Sequence, residues 1–223
     1  MSDHYPVRLE GDLDEPLSRW MWLVKWLLAI PHLIVLAFLW IALAVVTLVA
    51  FVIRLFTGRY PRGMLDFAVG VLRWTWRVNY YAFGALATDR YPPFTLADVP
   101  DYPARLVVPY PEGPGRRGLP LIGWWLAGIP HYAVASILAG GIGLHAMSVI
   151  GVLVLVAMVL LVVRGSYHHG LFDLVMGFNR WAIRATVYGA LLTDEYPPFR
   201  LDMGGREPTS RPNPPMPTGA LPA

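Results

Sequence analysis

The chain has 223 residues, 56% of them hydrophobic and only 15% charged, with a formal net charge of +3. Soluble domains carry roughly 25% charged residues, and the mean hydropathy here is +0.47, so the composition speaks against a water-soluble globule. Cysteine is absent, which excludes disulfides, a thiolate nucleophile and thiolate metal ligands.

The chain opens MSDHYPVRLEGDLDEPLSRW, acidic where a secretory signal needs a basic n-region, and no A-x-A-like cleavage site follows the first apolar run. That run is expected to stay in the mature protein. No residue from Trp26 to Ile53 carries a formal charge, nor does any from Gly118 to Val163. Each stretch exceeds the roughly 20 residues that one helix needs to cross the hydrocarbon core. An all-α integral membrane protein is expected. The first run, WMWLVKWLLAIPHLIVLAFLWIALAVVTLVAFVI, is expected as a transmembrane hairpin over about residues 20–56. The alternative is a Pro31-kinked approach followed by a single crossing, since no turn glycine is present.

Next comes MLDFAVGVLRWTWRVNYYAFGALA, predicted as an amphipathic helix over about residues 64–87. Asp66, Gly70, Arg73, Arg77 and Tyr81 share one stripe at helical spacing, beside a Trp-rich remainder. Such a helix suits the membrane interface, with Arg73, Trp74 and Arg77 meeting anionic headgroups. Equally, Asp66 and its counterpart Asp173 could pair with the arginines inside the protein. The segment closes on TDRYPPF, residues 88–94. Thr and Asp can stop a helix by bonding its backbone; the prolines forbid its continuation; Tyr and Phe are expected to anchor the exit at the interface. A Pro- and Gly-rich linker over about residues 99–118 follows and reads as extended loop.

The second half repeats the first. Tyr5-Pro6-Val7-Arg8-Leu9 matches Tyr102-Pro103-Ala104-Arg105-Leu106, and Ile30-Pro31-His32 matches Ile129-Pro130-His131. Gly58, Tyr60, Gly63 and Asp66 find Gly165, Tyr167, Gly170 and Asp173; Arg73-Trp74, Arg77 and Tyr81 find Arg180-Trp181, Arg184 and Tyr188. TDEYPPF at residues 193–199 closes the second copy as TDRYPPF closes the first. The chain is a tandem duplication, roughly residues 5–98 and 102–202, with the membrane repeats proper at 1–98 and 119–202. The second apolar run contains Gly140-Gly141 and Gly143 between two helix-sized stretches, which predicts a hairpin over about 120–163; an amphipathic helix over about 171–192, with Arg180, Trp181 and Arg184, follows. The Pro-rich tail, 203–223, is expected to be disordered.

Two hairpins would keep every Lys and Arg on one side of the membrane, as positive-inside bias requires, with both termini cytoplasmic. A single crossing in each unit would place Arg54, Arg59 and Arg62 opposite the N-terminus.

The intramembrane His32 and His131 are a functional-site candidate by default. They could form a proton relay or ligate a metal. Two histidines are too few for a tight metal site, however, and a neutral His beside a kinking Pro can simply bond a freed carbonyl. His168 and His169 have no counterpart in the first unit and read as loop residues near headgroups. Nucleophile-base, P-loop, dinucleotide and H-E-x-x-H patterns are missing. No enzyme, cofactor or metal is expected.

The paired I-P-H stretches, G-x-Y loops and T-D-x-Y-P-P-F exits resemble the actinobacterial membrane family known as domain of unknown function 4389, over almost the whole chain apart from the tail. The resemblance implies a polytopic bacterial plasma-membrane protein and brings no catalytic residue. The expected function is that of a non-catalytic accessory or scaffold subunit binding anionic lipid, a larger membrane complex or copies of itself, with no nucleic acid. The other reading is a small oligomeric carrier or channel using the Pro-His pairs.

Overall fold

A computed structural model describes residues 5–111, 124–139 and 148–206. Helix α1 spans Trp22–Leu28 and α2 spans Ile30–Thr57, with only Ala29 between them. Ala29 itself is right-handed helical, at φ −77° and ψ −17°. The helical ladder runs through it, from Ala29 N–H to the Lys25 carbonyl and from Leu33 N–H to the Ala29 carbonyl, both at 2.9 Å. Pro31 follows in the first turn of α2 and omits a single N–H from that ladder. From His32 to Thr57 there is no Gly, Pro, Asn or Asp to interrupt the ladder. Helix α2 ends only at Gly58, whose φ of 72° is a left-handed cap that favours glycine.

The hairpin expected over residues 20–56 is therefore corrected to one continuous course with a helix of 28 residues. At 1.5 Å per residue α2 is about 42 Å long, more than the roughly 30 Å of a hydrocarbon core. Among the described residues it is the one helix long and apolar enough to cross a membrane. In the second unit the run is divided into α4, Trp124–Ala139, and α5, Val149–Arg164. Both pack against α6, His169–Gly189, and against each other. The predicted turn at Gly140, Gly141 and Gly143 lies outside the described residues.

The Arg-bearing helices do not lie on the surface. α3, Arg62–Ala82, buries Val71, Leu72, Trp76, Tyr80 and Tyr81, while α6 buries Val175, Met176 and Val187. The predominantly apolar helices are outside them. α2 leaves Phe38, Ile41, Leu48 and Phe56 exposed, and α5 leaves Val152, Leu155, Val159 and Val163 exposed. The interfacial placement expected for residues 64–87 and 171–192 is thus corrected. These helices are the centre of the molecule, because their arginines find acceptors there that the apolar helices cannot supply.

A second correction concerns the segments preceding each apolar run. They form strands β1, Arg8–Gly11, and β2, Ala104–Val107, paired antiparallel in a two-stranded ribbon. β2 falls within the stretch read as a loop linker. In the register Leu9 faces Leu106, and these two are equivalent residues of the two repeats. A local two-fold axis thus passes through the ribbon at this pair. The packing is crossed: α3 lies on β2 and α6 on β1, each on the strand of the other unit. An isolated two-stranded ribbon is marginal, and here both leucines are buried in the main core. The start of the predicted tail is also fixed: Gly11 N–H donates to the Gly205 carbonyl at 2.9 Å, and Arg206 pairs with Asp12.

Leu9→Ala and Leu106→Ala should each destabilise the purified protein by about 2–5 kcal/mol, the range for truncating a buried leucine. Because the two side chains share one contact, the double variant should fall short of additivity by about 0.5 kcal/mol or more in denaturant unfolding.

Candidate functional site

The arginine stripes form the most unusual polar feature of the interior. Arg73 Nε donates to the Leu106 carbonyl at 2.9 Å. Its repeat equivalent, Arg180, donates to the Leu9 carbonyl from Nε at 3.1 Å and Nη2 at 2.9 Å. Each guanidinium therefore grips the strand of the other repeat at the same residue. Arg180 also reaches the carbonyls of Asp202 and Gly204. Arg77 bonds the Thr95 carbonyl, and Arg184 Nη1 pairs with Asp202 Oδ2 at 2.7 Å. Arg77, Arg180 and Arg184 are all buried and Arg73 is half-buried. The headgroup role expected for these residues is corrected accordingly: they are directed into the protein. Nor do Asp66 and Asp173 serve as their partners. Asp66 is exposed near the start of α3, and neither carboxylate is in an ion pair among the described residues; Asp173 contributes its carbonyl, accepting from Gly204 N–H. Seven residues separate Asp66 from Arg73, beyond the one-turn reach of helical neighbours.

The two histidines occupy matching aromatic cages. Trp74 Nε1 donates to His32 Nδ1 at 3.0 Å, and Trp181 Nε1 donates to His131 Nδ1 at 3.1 Å. Accepting at Nδ1 fixes the neutral imidazole with its proton on Nε2. Phe94 stacks on His32 at 3.8 Å and Phe199 on His131 at 4.1 Å between ring centroids. Tyr91 and Tyr196 flank the same rings at 4.9 and 4.8 Å. This explains the spelling of the repeated exit. Consecutive prolines favour an extended helix of three residues per turn, which puts positions i and i+3 on one face. Tyr and Phe in Y-P-P-F then close together over one histidine. The tryptophans expected at the lipid boundary are inward donors, and no hydrogen bond or ring contact joins His32 to His131 among the described residues.

The Thr-Asp pairs lie beyond the ends of α3 and α6 and do not cap them. Thr88 Oγ1 accepts from Arg90 N–H at 3.1 Å and Thr193 Oγ1 from Glu195 N–H at 3.2 Å, a tight turn in both copies. Just before each turn a buried leucine is in the left-handed region, Leu86 at φ 54° and Leu191 at φ 60°, which costs of order 1 kcal/mol or more for a residue with a Cβ. The aspartates then bind cations of the apolar helices. Lys25 Nζ lies 2.7 Å from Asp89 Oδ1. Arg54 pairs with Asp194 and donates to the Leu191 carbonyl at 2.8 Å. The units differ here: Lys25 holds the exit of its own repeat, whereas Arg54 of the first repeat holds the exit of the second.

His168 has a simple role: its Nδ1 accepts from Leu171 N–H at 3.3 Å and caps α6. His169 is exposed. Among the described residues no three His, Asp or Glu side chains converge on a metal-sized site. The sequence signal for the cages was present, in that His, Trp, Tyr and Phe recur together in both copies, but nothing in one dimension says that they meet.

Trp74→Phe and Trp181→Phe, which keep an aromatic ring and remove the donor, should each lower unfolding stability by about 1–3 kcal/mol, the cost of an unsatisfied buried acceptor. Asp194→Ala strands the buried Arg54. Its cost should fall toward the lower end of about 3–5 kcal/mol, because Asp194 retains some solvent contact. Adding Arg54→Leu, the residue found at the equivalent Leu161, should recover most of that loss.

The family model for Domain of unknown function (DUF4389) matches twice, over residues 19–95 and 132–200. No curated protein matches the chain, and no solved structure does. The two matches cover more than half of the chain and fall on the two repeats, each bringing its exit phrase over a histidine: this protein belongs to the DUF4389 family as a tandem pair of its domains.

Proposed function

We propose that the protein is a non-catalytic, multi-pass protein of the bacterial plasma membrane that serves as an accessory or scaffold subunit, associating with lipid and with other membrane proteins or copies of itself. One observation carries this reading: the duplicated polar groups are engaged in closing the fold, while the apolar helices face outward. Arg73, Arg180, His32 and His131 all hold backbone or rings of the same chain. The exposed faces of α2 and α5 are continuous with what a bilayer or a neighbouring transmembrane helix would cover. A carrier built on His32 and His131 lacks comparable support, since each imidazole is enclosed by rings of its own unit.

With α2 as a single crossing, Arg19 and Lys25 precede it and Arg54, Arg59 and Arg62 follow it, so flanking charge alone does not orient the chain. The meeting of Gly11 with Gly205 and of Asp12 with Arg206 supports both termini on one side, which we assign to the cytoplasm.

The cysteine-free sequence allows a direct test. Ser18→Cys and Arg59→Cys flank α1 and α2, and in intact cells only one of them should react with an impermeant thiol reagent, while both react after permeabilisation. Labelling of both from outside would refute a single crossing. The protein should also remain in membranes after alkaline carbonate extraction. Release into the soluble fraction would end the integral-membrane reading.

A further inference from the structure

Two departures of the repeats from their symmetry lie side by side along α2, and both serve the same end. Between α2, α4 and α6 lies an apolar groove of about 690 Å³, bordered by Leu43, Thr47 and Phe51 on one side and Tyr132, Ala135 and Gly189 on the other. It opens beside Leu48, which is 65% exposed on the outer surface of α2. The groove exists because its far wall is made of small residues. Where the second unit has Ala135, Ala182 and Ala185, the first has Leu36, Thr75 and Val78 at equivalent positions, and Leu36 and Val78 are buried in a tight cluster with Trp74 and Tyr81.

Immediately beyond the groove is a second cavity of about 250 Å³, lined by Arg54, Arg59, Arg62, Tyr60, Tyr110 and Asp194. Phe51 of the groove and Arg54 of the cavity are one turn apart on α2. Leu191, which also borders the groove, accepts from Arg54. Asp194 neutralises Arg54, so the uncompensated positive charge of the cavity is that of Arg59 and Arg62, both exposed and neither in an ion pair among the described residues. The Arg62 guanidinium rests over the Tyr110 ring at 4.9 Å, and the Tyr110 hydroxyl donates to the Tyr60 carbonyl at 2.7 Å. Helix α3 begins at Arg62, so the positive end of its dipole lies here as well. At the equivalent positions of the second unit stand Leu161, Ser166 and His169. The repeat therefore folds without arginines at these positions; Arg54 is engaged with Asp194 and the Leu191 carbonyl, and the fold does not account for Arg59 and Arg62.

We propose that groove and cavity together form one binding site for an anionic phospholipid, with its phosphate on Arg59 and Arg62 and one acyl chain between α2, α4 and α6. This rests on the membrane placement argued above. From Trp40 to Phe51, both on the groove wall, α2 rises about 16 Å, close to the roughly 15 Å depth of one leaflet, half of the hydrocarbon core. The volume lies within the roughly 300–1,000 Å³ of small-ligand sites, and the lining has the usual mostly apolar wall with a few polar groups at one end. Guanidinium groups bind phosphate oxygens bidentately. A soluble anion would use the cavity and leave the groove empty, whereas a zwitterionic lipid would set its phosphate on the arginines but bring its own cation beside Arg59 and Arg62, leaving the positive charge of the cavity uncompensated.

The test uses the full chain purified in detergent and exchanged against an equimolar mixture of phosphatidylglycerol and phosphatidylcholine with identical acyl chains, with the retained lipids counted by native mass spectrometry. The wild type should retain phosphatidylglycerol over phosphatidylcholine by about 30-fold, taking about 1 kcal/mol for each of the two arginines that the choline cation would oppose. Arg59→Gln with Arg62→Gln should bring that ratio close to 1, while Arg59→Lys with Arg62→Lys should keep most of it. Ala135→Leu with Ala185→Val, which restores the residues of the first unit, should cut retention of both lipids. An unchanged ratio in the glutamine variant overturns the headgroup assignment, and undiminished retention in the filled-groove variant overturns the acyl-chain assignment. Complete displacement of the lipid by soluble glycerol phosphate overturns the lipid as occupant in favour of a free anion. The glutamine substitutions are at exposed positions, so the test stands even if the filled groove impairs folding. Carbonate-resistant membrane retention, read on the same variants, separates failure of this site from failure of the membrane reading: lost selectivity with intact retention removes only the lipid site.

Discussion

A buried guanidinium can be stable only where enough acceptors converge on it, and in this protein that requirement ties the two repeats together. Arg73 bonds the carbonyl of Leu106 and Arg180 that of Leu9, so each of these arginines draws on the strand of the other unit, Arg180 adding the carbonyls of Asp202 and Gly204. Removing a charge from water costs several kcal/mol per ion unless hydrogen bonds replace the lost hydration. Strand carbonyls supply that replacement without adding an opposing charge, and they exist at the right place only when the other repeat has contributed its strand. The ribbon, the crossed packing of α3 and α6, and the two-fold relation at Leu9 and Leu106 all follow from that constraint.

Once the arginines are inside, the rest of the architecture is inverted relative to a soluble protein. The helices that carry the arginine stripes are central and the predominantly apolar ones are peripheral. In the lipid setting proposed above there would be no hydrophobic drive to hide an apolar face, while an unsatisfied polar group would remain expensive. Hence α3 and α6 are enclosed, α2 and α5 face outward, and the exit segments fold back over the interior with their Tyr and Phe rings on His32 and His131. The lysine and arginine of the apolar helices complete the closure by holding Asp89 and Asp194.

Duplication also provides an internal comparison. Where the two units agree, as in the cages and the arginine grips, the shared residues are those the fold requires. Where they differ, as at Arg59 against Ser166, Arg62 against His169 and Ala135 against Leu36, one scaffold has accepted two chemistries, and such positions are free to serve something other than folding. The groove and basic cavity beside α2 are made of differences of this second kind.

The sequence by itself determined the duplication, the pairing of equivalent residues between its halves, the apolar character of the long runs and the family, because these depend on residue identity and order alone. It also marked most of the important side chains: the four arginines, both tryptophans and both histidines were singled out from spacing. Their direction was decided only in three dimensions. Helical periodicity shows that Arg73 and Arg77 share a stripe but not whether the stripe faces headgroups or carbonyls, since the acceptors on Leu106 and Thr95 are distant backbone atoms that no side-chain pattern encodes. Homology between the runs favoured a hairpin in the first unit, yet without a glycine or proline between His32 and Thr57 the backbone had no reason to leave the helix. The strands β1 and β2 were hidden for a similar reason: four residues carry too little periodicity to announce a strand, and each acquires its conformation from a partner nearly a hundred residues away.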